Sequence, residues 1–207
     1  MPVIRLLVEG KDDQNVLRKL IDHHFSREMS KKIDIRVLGG IEELLSSIPV
    51  QVKASDINTL GIVVDADTSL ESRWQSVTSQ LSKAGYGSIP TVPQPSGTLV
   101  HGGVLLNIGI WVMPDNRVSG MLEDFVAFLV PPDDVLWGYA KECLSKISVK
   151  NPSKSLIHTW LAWQDEPGKP LGQAITMRYL DPEAEYSMSL SWWLRTMLEA
   201  SGTLSLS

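Results

Sequence analysis

Two short aliphatic runs in this chain end in acid. Ile4-Arg5-Leu6-Leu7-Val8 passes straight into Glu9-Gly10-Lys11-Asp12-Asp13, and Leu60-Gly61-Ile62-Val63-Val64 into Asp65-Ala66-Asp67-Thr68. Runs rich in β-branched residues read as buried strands, which places each set of acids where a strand empties into a loop. In open parallel α/β sheets that edge binds ligands. Carboxylates gathered there repel one another unless a cation neutralises them. Asp65 and Asp67 alternate about Ala66, so an extended backbone would turn both the same way. Glu9 and Asp13, four apart across a strand-to-helix turn, can face the same cleft. The expected chemistry is a site of hard oxygen ligands at Glu9, Asp13, Asp65 and Asp67 for Mg²⁺ or Mn²⁺, completed by water and a substrate phosphate. Any one of these acids alone reads more plainly as a helix cap or a solvated turn residue. Two sets, on strands that an α/β sheet could place side by side, favour the site.

The elements that must position these acids follow from the patterning. Strands are expected at Ile4–Val8, Ile33–Leu38 and Leu60–Val64, and helices between and after them. Asp12 or Asp13 can cap a helix running to Phe25, with Val16, Leu17, Leu20, Ile21 and His24 on one face. Gly39-Gly40 makes a tight turn into a helix from Ile41, with Leu44, Leu45 and Ile48 inward. Thr68 or Ser69 caps a helix over Leu70–Ala84, buried along Leu70, Trp74, Val77 and Leu81. This alternation predicts an α/β fold, a mainly parallel sheet with helices on both faces. Tyr86–Gly103, rich in glycine and proline, reads as a long loop holding at most a short strand near Ile89–Val92. Val104–Leu106 and Ile108–Val112 read as strands. Beyond them the pattern is helical: Leu122–Leu129, Leu136–Ser148, Ser153–Trp163, Leu171–Tyr179 and Leu190–Glu199, with Ser201–Ser207 expected to fray. The division expected is an α/β unit over residues 1–130, and a helical C-terminal extension over 131–207 packed on it.

Val8-Glu9-Gly10-Lys11-Asp12-Asp13 resembles the glutamate motif of Toprim domains, and Val63-Val64-Asp65-Ala66-Asp67 resembles their Asp-x-Asp motif. The Glu-Gly-x-x-Asp form is most similar to the OLD-type nuclease branch and to small stand-alone Toprim-like proteins, over roughly residues 1–125. The resemblance implies a Rossmann-like Toprim sheet and Mg²⁺-dependent processing of nucleic-acid phosphodiesters. Glu9 would act as general acid/base or ligand, Asp65 and Asp67 as ligands, and Asp13 as the additional acid of that branch. Gly39-Gly40 matches a glycine turn of the same branch. Together with Gly10 and Lys11, it would line the place where phosphate sits. Glu123 and Asp124 match acids that help to hold a second metal there, although the first turn of a helix favours Asp and Glu in any case. The chain has no nucleophilic-tyrosine domain of the topoisomerase kind. It also has no G-x-x-x-x-G-K-[ST] motif, so any ATPase would be another chain.

Bulk properties narrow the alternatives. The 207 residues carry a net charge of −5, so no global basic field draws in nucleic acid, and a polyanion would need a local basic strip or bridging cations. A protein partner or a homodimer is the other expectation, and with it a non-catalytic Toprim-like scaffold. Asp65-Ala66-Asp67-Thr68 also matches the Asp-x-Asp-x-Thr of haloacid-dehalogenase-like phosphatases, with Asp65 as nucleophile, although that motif normally follows the first strand. A receiver-type phosphoacceptor would want a lysine where the chain has Pro114-Asp115-Asn116. The single cysteine, Cys143, excludes an internal disulfide and reads as a small buried hydrophobe. No leader-like segment or run of roughly 20 apolar residues occurs, so a cytoplasmic protein without a membrane span is expected. Six of the seven tryptophans lie in the second half, in segments without interleaved basic residues, and read as core or subunit-interface packing. His23, His24, His101 and His158 have no Cys partners at zinc spacing, so no zinc site is assigned.

Overall fold

In the computed structural model, which describes residues 4–202, strand β1 (Ile4–Val8) is buried along its whole length. It pairs in parallel with β2 (Ile33–Val37) on one side and with β3 (Thr59–Asp65) on the other. A strand buried on both faces needs no alternation, which is why β1 reads as a continuous apolar run. The sheet order is β2-β1-β3-β5-β4. Strand β5 (Asn107–Met113) is parallel to β3, and the short edge strand β4 (Thr98–Val100) runs antiparallel to β5. The fold is α/β with a mostly parallel sheet, as the alternation predicts.

Helices cover both faces. Helix α1 (Lys11–His24), α8 (Leu171–Thr176) and α9 (Glu185–Ala200) lie on one side, where Ile4, Leu6 and Val8 meet Val16, Leu17, Leu20 and Ile21. Helices α3 (Ile41–Gln51) and α4 (Leu70–Lys83) lie on the other, packing Leu44, Ile48, Trp74, Val77 and Leu81 against Leu7, Leu60 and Ile62. Between these come α2 (Arg27–Ser30), and after the sheet α5 (Leu122–Ala127), α6 (Val135–Ser145) and α7 (Pro152–Ala162). The chain moves one way from β1 to β2 and the other way from β3 to β5. The topological switch point therefore falls between β1 and β3, the strands that end in Glu9 and Asp65.

The helices after residue 130 share the core of the first half: α9 packs on β3 and β5, and α8 on α1. Gly61 and Gly109 make room for this, since a Cβ at either would meet Met197 of α9. Trp111, Trp160 and Trp193 are fully buried, and Trp111 and Trp193 pack with ring centroids 5.7 Å apart.

Four sequence expectations are corrected. Ile89–Val92 and Val104–Leu106 form no strand, and Val104 is fully exposed. The strand of that region is Thr98–Val100, which the surrounding glycines and prolines conceal. Cys143 is exposed, because α6 turns Leu136, Ala140 and Leu144 inward and leaves Cys143 on another face. The N-cap residue of helix α1 is Gly10, and Asp13 caps from the third helical position by accepting the Gly10 N–H, while Asp12 takes no part. Of the tail expected to fray, residues 203–207 lie outside those described.

Candidate metal centre

The C-terminal ends of β1 and β3 deliver Glu9 and Asp65 to one cleft of about 450 Å³. Its walls also carry Gly10, Lys11 and Asp13 from the start of α1, Gly39 and Gly40 from the turn after β2, Glu123 from α5 and Lys154 from α7. Positive φ angles of 94° and 141° at Gly39 and Gly40 fold the chain back from β2. Such angles are readily adopted only by glycine. The Gly39 N–H donates to the Glu9 carbonyl at 3.0 Å, so the turn is fastened beside the acid.

Backbone amides hold the acids in place. Glu9 Oε1 accepts the Asp65 N–H at 2.9 Å, and Asp65 Oδ1 accepts the Leu122 N–H at 2.9 Å. Asp13, in the third position of α1, accepts the Gly10 N–H on Oδ2 at 2.8 Å. Each carboxylate therefore keeps a second oxygen that these bonds do not use. Glu123 is buried and meets Lys154 Nζ at 3.2 Å on the cleft wall.

This arrangement is electrostatically costly without a counter-ion. Burial pushes Asp13 up to about 6, only partly offset by the Gly10 amide, with Glu123 and Asp12 adding repulsion. Asp65 is pushed up to about 8, first by burial and then by the negative charges of Asp13, Glu9, Asp67 and Glu123. Glu9 is raised by burial despite the Asp65 amide and the Arg73 guanidinium. Glu123 and its charge raise Lys154 in turn. Perturbed carboxylates converging on a cleft mark functional sites more often than chance allows. A cation is the simplest species that would relieve all of them.

Two predicted ligands stand apart. Asp67 adopts a left-handed backbone, φ 53°, so the alternation that would align it with Asp65 is lost. Its N–H donates to the Gly120 carbonyl at 2.8 Å, and its carboxylate pairs with Arg73, whose Nε also holds the Asp65 carbonyl. Asp67 lines a separate hollow with Ser69, Ser72 and Arg73. Asp124 is the cap acid of α5: its carboxylate accepts the Met121 N–H at 2.9 Å and the Ser153 hydroxyl at 2.5 Å. Of the two neighbours, Glu123 faces the cleft and Asp124 serves the helix.

The oxygens of the cleft are spread. Among the described residues, the set of three or more such groups whose ligand atoms all lie within 4.8 Å of one another is His23, His24 and Glu183. Sequence reasoning missed that set, since Glu183 is 159 residues beyond His24. The other residues it missed are Arg73, which only the fold brings back to the β3 terminus, and Lys154, which α7 brings to the cleft wall.

The family model described as a protein of unknown function (DUF3226) matches residues 3–199, and the chain belongs to that family. No curated protein and no solved structure matches it. No helix among the described residues is long and apolar enough to cross a membrane.

Proposed function

We propose that this member of DUF3226 binds Mg²⁺ or Mn²⁺ in the cleft at the switch point and hydrolyses phosphodiester bonds of nucleic acid, in the manner of the Toprim-like nucleases its motifs resemble. The observation that carries the reading is the convergence of Glu9, Asp13, Asp65 and Glu123 on one cleft, with Asp13 and Asp65 held well above ordinary carboxylate values. Such donors fit a hard dication, which prefers carboxylate oxygens and retains waters that a phosphate can replace.

When bound, the dication would supply Lewis-acid stabilisation of the phosphoryl oxygens and lower the pKa of an attacking water. The protein's own residues do the rest. Asp65 and Asp13 would hold the ion, and Glu9, whose second oxygen is not used by the Asp65 amide, would take the proton of the attacking water as general base. Glu9 suits that role because burial raises its proton affinity above that of an ordinary carboxylate. Lys154 at the rim exchanges its pairing with Glu123 for a substrate phosphate. Lys11, Gly10 and Gly40 border the same space. Asp67 and Arg73 act as positioning residues, fixing the β3 terminus rather than touching the ion. Turning Asp67 out of the cleft also weakens the phosphatase alternative, which needs both acids of Asp65-Ala66-Asp67 at the reacting phosphate.

The test is cleavage of plasmid DNA and of single-stranded RNA by the purified chain with 5 to 10 mM (about) Mg²⁺ or Mn²⁺, the range in which weak two-carboxylate sites fill. Cleavage lost in both Glu9→Gln and Asp65→Asn supports the proposal. Cleavage unchanged in both rejects the site. A chain that binds Mn²⁺ but cuts neither substrate leaves the metal centre standing and turns the reading toward a scaffold.

A further inference from the structure

At the opposite end of α1 from the acidic cleft, a second group of metal-ligating side chains meets. The helix has 14 residues, which at ~1.5 Å each separates its ends by roughly 20 Å. His23 Nε2 lies 2.5 Å from Glu183 Oε1. His24 Nε2 lies 2.8 Å from the Pro182 carbonyl and 3.0 Å from Ser187 Oγ. A carbonyl oxygen only accepts, so this nitrogen carries the proton and donates, and the His24 lone pair is on Nδ1. Metal-bound histidines are oriented in this way, with the other ring N–H on a backbone carbonyl to fix the tautomer. One ring nitrogen of each histidine and one Glu183 oxygen lie within 4.8 Å of one another. The two rings meet edge to face, centroids 4.8 Å apart.

We infer that His23, His24 and Glu183 form a binding site for a borderline transition-metal dication, Zn²⁺ foremost, separate from the acidic cleft. Imidazole nitrogen with one carboxylate suits Zn²⁺, Co²⁺, Ni²⁺ or Cu²⁺, whereas Mg²⁺ prefers an all-oxygen set. Ligands about 2.0–2.1 Å from a tetrahedral zinc sit roughly 3.3 Å apart, so the His23–Glu183 pair has to open by less than about 1 Å. Glu183 is exposed and free to make that movement, and His23 and His24 are partly exposed beside it. The neighbouring cations leave room. Arg195 is occupied with the His24 carbonyl and the Phe25 ring, and Arg178 acts on the Glu183 charge without a hydrogen bond to it. An ion here would tie the end of α1 to the turn that leads into α9.

The test titrates metal-stripped full-length protein with Co²⁺ and Zn²⁺ in excess Mg²⁺, which occupies the acidic cleft. One equivalent of Co²⁺ with tetrahedral-type visible absorption is expected, together with a Zn²⁺-dependent rise in Tm. His24→Ala and Glu183→Gln are expected to lower Zn²⁺ affinity at least about tenfold, and Glu9→Gln to leave it unchanged. Because Glu183 is exposed, its variant tests the site even if His24→Ala folds poorly. The inference is overturned if the unaltered chain binds no Zn²⁺, if Glu183→Gln binds it equally well, or if Glu9→Gln abolishes the signal.

Discussion

Glu9 accepts the backbone N–H of Asp65 at 2.9 Å, so two acids 56 positions apart are fastened together at the ends of adjacent strands. The bond fixes where one Glu9 oxygen points and makes the acid part of the sheet edge as well as of the cleft. Glutamine in its place can still accept that N–H through its amide oxygen, whereas alanine cannot. Glu9→Gln is therefore expected to retain stability and lose at least about tenfold in Mn²⁺ affinity. Glu9→Ala is expected to lose the same affinity and, in addition, about 1–3 kcal/mol of stability, the cost of stranding a partly buried amide. Calorimetric titration and urea denaturation of the two variants separate these effects.

The raised carboxylates predict an unusual pH dependence. Asp13 near 6 and Asp65 near 8 bind protons more tightly in the folded chain than in the unfolded one, where they titrate near their ordinary value of 3.8. Their contribution to stability is therefore fully present below the unfolded pKa and lost as pH rises through the folded values. Metal-free protein is expected to lose stability from pH 5 to pH 8 (about), with Asp65→Asn flattening the loss and exceeding the unaltered chain at the alkaline end. Saturating Mn²⁺ is expected to remove most of the slope, because the cation takes the place of the protons. Urea midpoints across that range, with and without Mn²⁺, decide the matter. A slope identical in Asp65→Asn would show that other groups govern it.

Asp65 and Asp67 look equivalent as a motif and are inequivalent in space. Asp67 is exposed and bound to Arg73, while Asp65 is in the cleft. Asp65→Asn is expected to weaken Mn²⁺ binding at least about tenfold, and Asp67→Asn by less than about threefold, the range expected when an ion loses a nearby charge rather than a ligand. Equal losses in the two variants, measured by the same titration, would mean that Asp67 swings into the cleft when the ion binds.

What sequence can reveal about this site is set by how local its causes are. Glu9, Asp13 and Asp65 were legible because each follows an aliphatic run whose strand character depends on a handful of neighbours, and the sheet edge then collects them. Asp67 was not, because its left-handed turn and its pairing with Arg73 depend on the Gly120 carbonyl, which arrives from 53 positions away. Glu123 and Asp124 are indistinguishable as a pair, and only the Met121 amide and Ser153 hydroxyl assign one to the helix. Strand β4 escaped notice since three residues between glycine-rich turns carry no period of their own. Its pairing with β5 is what makes it a strand. The His23–His24–Glu183 group joins opposite ends of the chain and leaves no local trace.

Gly109 shows how tightly the C-terminal helix is seated on the sheet. A Cβ there would fall well inside contact distance of Met197 Sδ and close to the Trp193 indole, both buried in α9. Gly109→Ala is expected to push α9 off β5 and cost about 1–3 kcal/mol, as overpacking of a filled core does. Met197→Ala alone leaves a cavity and is expected to cost about 2–5 kcal/mol. If the two residues occupy one another's space, the double variant is less destabilised than the sum of the single ones, by about 0.5–3 kcal/mol. Urea denaturation of the four proteins closes this cycle. Strict additivity would mean that the sheet and α9 do not meet at these residues.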